Sequence, residues 1–168
     1  AAFRLAAMMT GGNPLVRAVR APLLGLAERS KESALLAVLT DNRRQAMCID
    51  IVESHKTLRF SMVIGTRIPL HNTTAGRAML AFQSDAFIEA YLGSIELRQY
   101  TAKPPLSKSE IVAALTVVRR SGVSENFEEY AEGVGGIGSP IADPTGPVHA
   151  AVQIAAPVGR VMERRAEL

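Results

Sequence analysis

Three histidines, one cysteine and a group of glutamates are the side chains with which this sequence could do acid, base, nucleophilic or metal chemistry. His55, His71 and His149 are scattered, and no two stand one helical turn apart, the spacing by which two imidazoles on one helix face share a metal. No metal site is expected. Cys48, alternating with Met47 and Ile49 in an apolar run, has the setting of a packed thiol, whereas a nucleophile needs an accessible, electropositive one. A single cysteine excludes an intramolecular disulfide and points to a reduced, cytoplasmic setting. Glu125, Glu128, Glu129 and Glu132 could pair as general acid and base, but they equally fit a solvated loop or helix face. "GVGGIG" (133–138) lacks the strand-turn-helix context of a dinucleotide fingerprint, and neither a Gly-x-Ser-x-Gly elbow nor a phosphate-cradling loop occurs. No active site and no cofactor are expected.

Two other stretches suggest binding. In "GTRIPLHNTTAGRAMLAF" (65–82), Asn72 or Thr73 can cap a helix whose Ala75, Ala78, Met79 and Phe82 form the core-facing stripe. Its first turn would offer backbone donors at Thr73, Thr74 and Ala75, an end that attracts anions. An ordinary capped helix with Gly76 for packing satisfies the same spacing. In "GVGGIG" the glycines let another group approach a strand closely. Period-two alternation puts Val134, Gly136 and Gly138 on one face, and Ala151, Gln153 and Ala155 on one face of the last strand. If those faces point the same way, they floor a hollow with Gln153 as its polar group; the alternative is a helix packed tightly on glycine.

The elements that must position these residues follow from composition and pattern. The 168 residues, 48% of them hydrophobic, suit one core and one globular domain. The net charge of +3 comes from residues 1–33, where five bases face two acids, and no dense basic patch with a recognition helix accompanies it. No run approaches the ~18 apolar residues of a membrane helix. The chain opens without methionine and in mid-pattern, as a fragment would. Asn13-Pro14 starts a helix with Leu15, Val19, Leu23 and Leu26 on one stripe, and Pro22 should kink or split it. Strands are expected at 34–40, 45–52 and 58–64, the first two joined by a hairpin at Asp41-Asn42-Arg43-Arg44. Helices are expected at 84–92 and 106–122, the second capped at Ser107 and ended by Gly122. Two further strands meet at a type I turn, Asp143-Pro144-Thr145-Gly146, before a terminal helix. Tight turns between strands, with the helices inserted as a block, argue for α+β with an antiparallel sheet.

At its two binding stretches the sequence resembles the effector-binding domain of the IclR family of transcriptional regulators. The family pattern G-x-x-x-P-L-H-A-T-A-x-G-K-A-x-L-A is met by "GTRIPLHNTTAGRAMLAF", and the acidic stretch leading to G-V-x-C-I-A-A-P-V, a turn and A-A-L-S-V-S-x-P by "ENFEEYAEGVGGIGSPIADPTGPVHAAVQIAAPVGRV". The resemblance implies a GAF-like domain, a curved antiparallel sheet flanked by helices with a small-molecule pocket. It also implies that residues 1–22 are the remnant of a linker after a missing winged helix-turn-helix, that 23–168 form the effector domain, and that the protein is a homodimer or homotetramer reaching DNA only through the missing part.

Family pocket positions fall at Phe60 and Ile68 on the wall, Thr74 and Ala75 at the helix start, and Asn126 at the acidic position. Val134 and Gly136 stand at the apolar and cysteine positions, and Gln153 and Ala155 at two serines. These departures imply more room at Gly136 and Ala155, and a larger, partly apolar effector, an organic acid or aromatic metabolite. A leucine at position 136 should fill the pocket and spare the fold. The rivals are an enzyme using Cys48 or a histidine with the glutamates, and a ligand-free oligomerisation module.

Overall fold

The computed structural model describes residues 13–142 and 148–168. The turn expected at Asp143–Gly146 and the first twelve residues lie outside them. The chain begins with helix α1 (Pro14–Ser30), where the Asn13 side chain accepts the Leu15 N–H and Pro14 occupies the first turn. It ends where Lys31 takes a left-handed φ of 61°. Of the kink or split expected at Pro22, the split does not occur: one helix runs through it. Leu23 and Ala27 are buried against Leu36, Met47 and Ile49 of the sheet, and this packing carries the helix through the proline's missing hydrogen bond.

Strands β1 (Ser33–Leu39) and β2 (Gln45–Val52) form the expected antiparallel hairpin, with a bulge between Leu36 and Ala37. The third expected strand, 58–64, is absent; β3 is only Arg67–Pro69, paired to the first residues of β2. The chain leaves the β2 edge at Gly65, whose φ is 94° and whose N–H donates to the Cys48 carbonyl. Residues 58–64 instead cross as an extended segment held by side chains: Ser33 Oγ donates to the Phe60 carbonyl at 2.6 Å, and Arg160 to the Leu58 carbonyl at 2.9 Å.

Three helices follow, α2 (Thr74–Leu80), α3 (Asp85–Gly93) and α4 (Lys108–Ser121). Helix α4 carries the full capping box between Ser107 and Glu110 and stops at Gly122, φ 72°. Then come β4 (Ser124–Phe127), β5 (Val134–Ile141), β6 (Ala150–Pro157) and helix α5 (Val158–Glu163). Among the described residues the six strands make one antiparallel sheet in the order β3-β2-β1-β6-β5-β4, an α+β architecture as expected. α1 covers one face of the curled sheet; α2, α3 and α4 cover the other, with Leu35, Cys48, Ile68, Met79, Leu115 and Ala151 at the centre of that core.

One buried charge knits the ends together. Glu32, 1% exposed, accepts from Lys56 Nζ at 2.6 Å and from Arg160 Nε and an Arg160 terminal nitrogen at 2.8 Å each. With Ser54 Oγ donating to the Lys31 carbonyl and Arg164 to the Ser30 carbonyl, the end of α1, segment 54–60 and α5 form one hydrogen-bonded junction.

Candidate functional site

Helix α2 is short and buried at every residue, so it must be seated by shape. A Cβ on Gly76 would lie 2.5 Å from Thr73 Oγ1 and 2.6 Å from both the Leu70 Cα and the Pro69 carbonyl. Only glycine lets the preceding loop fold back onto the helix there. Thr73 is the cap, accepting the Gly76 N–H at 3.2 Å while donating to the Pro69 carbonyl at 2.6 Å. The start of α2 then lies across β5 and β6, where Gly136 pairs with Ala155 and Gly138 with Gln153.

Between this helix start, the 60–62 segment and the loop before β5 is a recess of about 70 Å³. Of the residues expected at a pocket, Phe60, Ile68, Thr74, Asn126, Val134, Gly136, Gln153 and Ala155 all line it. Ala75 does not; it is fully buried and reaches the site only through its N–H, which donates to Gln153 Oε1 at 2.7 Å. Thr73, foreseen as a cap and backbone donor, also lines it, as do Met62, Tyr130, Ala131 and Gly135, which escaped sequence reasoning. Met62 was findable, two residues beyond Phe60 on an extended chain; Tyr130 and Ala131 sit in an irregular loop with no periodic signal.

Two expectations about the site change in part. Much of the room foreseen at Gly136 is taken by α2: a Cβ there would be 2.5 Å from Thr74 Oγ1 and 3.1 Å from the Ile154 carbonyl, although Gly136 still lines the recess. A leucine at 136 would therefore disturb the fold. Of the three donors foreseen at the helix start, Ala75 N–H is committed internally, to Gln153, while the Gly76 N–H beyond them donates to Thr73 and neither Thr73 N–H nor Thr74 N–H has a partner among the described residues. Asn126 is likewise a strut, donating to the Asn72 carbonyl at 2.8 Å and accepting the Glu129 N–H at 3.2 Å.

The groups first considered for catalysis are placed otherwise. His71 is buried with Nδ1 3.0 Å from the Tyr91 hydroxyl, and burial, helped by the Arg77 charge, pushes its pKa down to about 4. Burial pushes the Cys48 thiol up to about 11, with Sγ facing the Asp50 carbonyl at 3.6 Å. His55 and His149 are exposed. The glutamates form no dyad; Glu125 is on β4 and the other three lie in the loop after it, half-buried or, at Glu132, exposed, as the loop reading allows. Glu129 makes a two-pronged pair with buried Arg77, Glu125 pairs with Arg165, Glu128 accepts the Gly133 N–H and Glu132 the Ala102 N–H. Among the described residues no three His, Cys, Asp or Glu side chains are grouped to hold a metal. A larger groove, about 610 Å³, runs along the outside of α3 and α4 past Ile88, Leu92, Val112 and Leu115. It is walled by two helices alone, whereas at the smaller recess strands, helix start and loops converge with polar atoms.

Comparison with known proteins accords with this architecture. The family model for the bacterial transcriptional regulator IclR C-terminal region matches residues 8–168. The transcriptional repressor IclR of Escherichia coli K12 is 30% identical over 164 residues, 98% of this chain and 60% of the repressor. The crystallised C-terminal domain of the E. coli regulator KdgR matches with a TM-score of 0.77 at 27% identity, over 91% of this chain and 87% of that one. The inducer-binding domain of PobR from Acinetobacter, a double mutant in complex with 3-hydroxybenzoic acid, shares the fold at a TM-score of 0.76 and 18% identity, over 90% of each chain. The chain thus spans about 60% of the length of the curated relatives it matches first.

Proposed function

The chain belongs to the IclR C-terminal family of bacterial transcriptional regulators, and from that premise we propose that it senses a small molecule in the recess beside α2 and so modulates DNA binding by the rest of such a regulator. The observation that carries this reading is the convergence of chain-distant segments, the 60–62 wall, the α2 start, the 126–134 loop and β6, on a partly apolar recess with Gln153 inside it. Apolar walls with few polar atoms are the usual build of a ligand site. The Phe60 wall is also bonded to the end of α1 through Ser33, Ser54 and the Glu32 junction. A ligand that binds one arrangement of that junction better than another would shift the helix leading towards residue 13.

The homo-oligomer and the DNA contact through a further domain are part of this proposal. Among the described residues no helix is long and apolar enough to cross a membrane. A buried, high-pKa Cys48 and a buried neutral His71 do not support the enzymatic rival. The resemblance implies an organic acid or aromatic metabolite, and the PobR domain's 3-hydroxybenzoic acid is such a molecule; the recess itself favours something smaller and less charged.

A thermal-shift screen of small metabolites tests the reading, because a ligand that binds only the folded state at a hundred times its Kd stabilises by about 2.7 kcal/mol. At least one compound should raise the Tm of the chain and lose that effect in Ala155→Leu, which crowds the recess. Stabilisation that survives Ala155→Leu would place binding elsewhere and refute the reading.

A further inference from the structure

We infer that the recess takes a small uncharged carbonyl compound, such as an amide or ketone, whose oxygen accepts from the Gln153 side-chain amide; this rests on the sensing role proposed above. Gln153 is only 7% exposed. Its Oε1 accepts the Ala75 N–H at 2.7 Å, which fixes the orientation of the amide, since the backbone donor can face only the oxygen. Nε2 is then the polar end left to the recess that Gln153 lines, and it has no acceptor among the described residues. Because it is not among the fully enclosed unpaired polar atoms of the described residues, it is open to an acceptor that enters the recess.

The surroundings decide the charge of that acceptor. No lining residue is a cation, and the lining has no carboxylate. The guanidinium of buried Arg77 is committed to Glu129 and the His71 carbonyl. Of the helix-start amides, Ala75 N–H donates to Gln153 and Gly76 N–H to Thr73; those of Thr73 and Thr74 carry no full charge, and a neutral carbonyl oxygen satisfies them as well as an anion does. A carboxylate entering would give up its hydration with no counter-charge, whereas a neutral carbonyl gives up far less and gains the Gln153 donor. Phe60, Met62, Ile68 and Val134 would hold the alkyl part. The volume limits its size: about 70 Å³ is less than half of the roughly 150 Å³ that accommodates the six heavy atoms of benzene, so about three heavy atoms fit inside and a longer alkyl chain extends through the open mouth.

The test uses matched twins, propanamide with propanoate and butanamide with butanoate, titrated at pH 7 into the ¹⁵N-labelled chain. The Gln153 side-chain NH₂ signal, identified by its loss in Gln153→Glu, should shift along a saturating curve with each amide, and each carboxylate should bind at least ten-fold more weakly. Gln153→Glu retains an acceptor for the Ala75 N–H but replaces the free donor by oxygen, and should weaken amide binding at least ten-fold. Carboxylates binding as tightly as their amides, or amide binding that survives Gln153→Glu in a folded variant, overturns the inference and leaves the sensing role standing. If neither series moves any recess resonance, both fall. The wild-type comparison decides by itself should the variant not fold.

Discussion

Replacing Gly136 by alanine separates two accounts of why β5 is glycine-rich. If the glycine makes room for a ligand, a methyl group costs little stability. If it seats α2, the methyl collides. Its Cβ would stand 2.5 Å from Thr74 Oγ1, 3.1 Å from the Ile154 carbonyl and 3.4 Å from Thr74 Cβ, an overlap of about 0.9 Å with the hydroxyl relative to ordinary contact. Thr74 is β-branched, so one χ1 rotation trades the hydroxyl for the methyl, and the other, which turns Hβ towards position 136, must rehouse both heavy atoms in a packed site. The Ile154 carbonyl belongs to the β6 ladder and cannot yield alone. Overpacking of this kind costs about 1–3 kcal/mol, and with backbone on one side the upper half of that range is expected. Urea denaturation should show the midpoint fall with an unchanged m-value. Thr74→Ala removes the colliding hydroxyl, so the double variant should be less destabilised than the sum of the singles by about 1–2 kcal/mol. A loss below about 0.5 kcal/mol for Gly136→Ala, or strict additivity with Thr74→Ala, would refute the packing account.

Two pH-dependent predictions follow from buried groups. The His71 pKa drops from 6.5 to about 4 in the fold, so the unfolded chain takes up the proton first; its contribution is complete above pH 6.5 and lost as the pH falls towards 4, on the order of 3 kcal/mol at about 1.36 kcal/mol per unit. Stability curves from pH 7.5 to 4 should flatten in His71→Asn, and an unchanged slope would disprove the assignment. For Glu32, burial raises the pKa, but hydrogen bonds and charge from Arg160 and Lys56 outweigh it and hold the carboxyl below its ordinary 4.5. Its stabilisation is therefore intact above pH 4.5 and lost as the pH falls through the lower folded value. Glu32→Gln should cost about 1–3 kcal/mol at pH 7, and its gap from wild type should narrow below pH 4; a gap constant with pH contradicts this.

Local chemistry made most elements legible. The capping box at Ser107 and Glu110, the Gly122 stop and the Asn13-Pro14 start are short-range signals that tertiary packing did not override. Segment 58–64 misled because alternation reports a two-faced extended chain, and Phe60 and Met62 do turn inward, but it does not report a hydrogen-bonded neighbour. The strand β4 hid among the glutamates, being only four residues long. At the site, the residues were readable from face alternation and resemblance, while their partners were not. That Thr74 fills the space over Gly136 and Gln153 takes the Ala75 N–H depends on how α2 settles across β5 and β6, the last pair being 78 positions apart. The same settling explains Thr-Thr-Ala-Gly at 73–76, a cap, a filler, a donor and a glycine under the loop.

The central claim is that a small molecule is sensed in the recess and not in the larger groove between α3 and α4. Methyl-labelled NMR of the chain, titrated with whichever compound raises its Tm, tests this directly. Perturbations concentrated at Ile68, Thr74, Val134 and Ala155 are the predicted result. Perturbations concentrated at Ile88, Leu92, Val112 and Leu115, with the recess methyls unmoved, would contradict it.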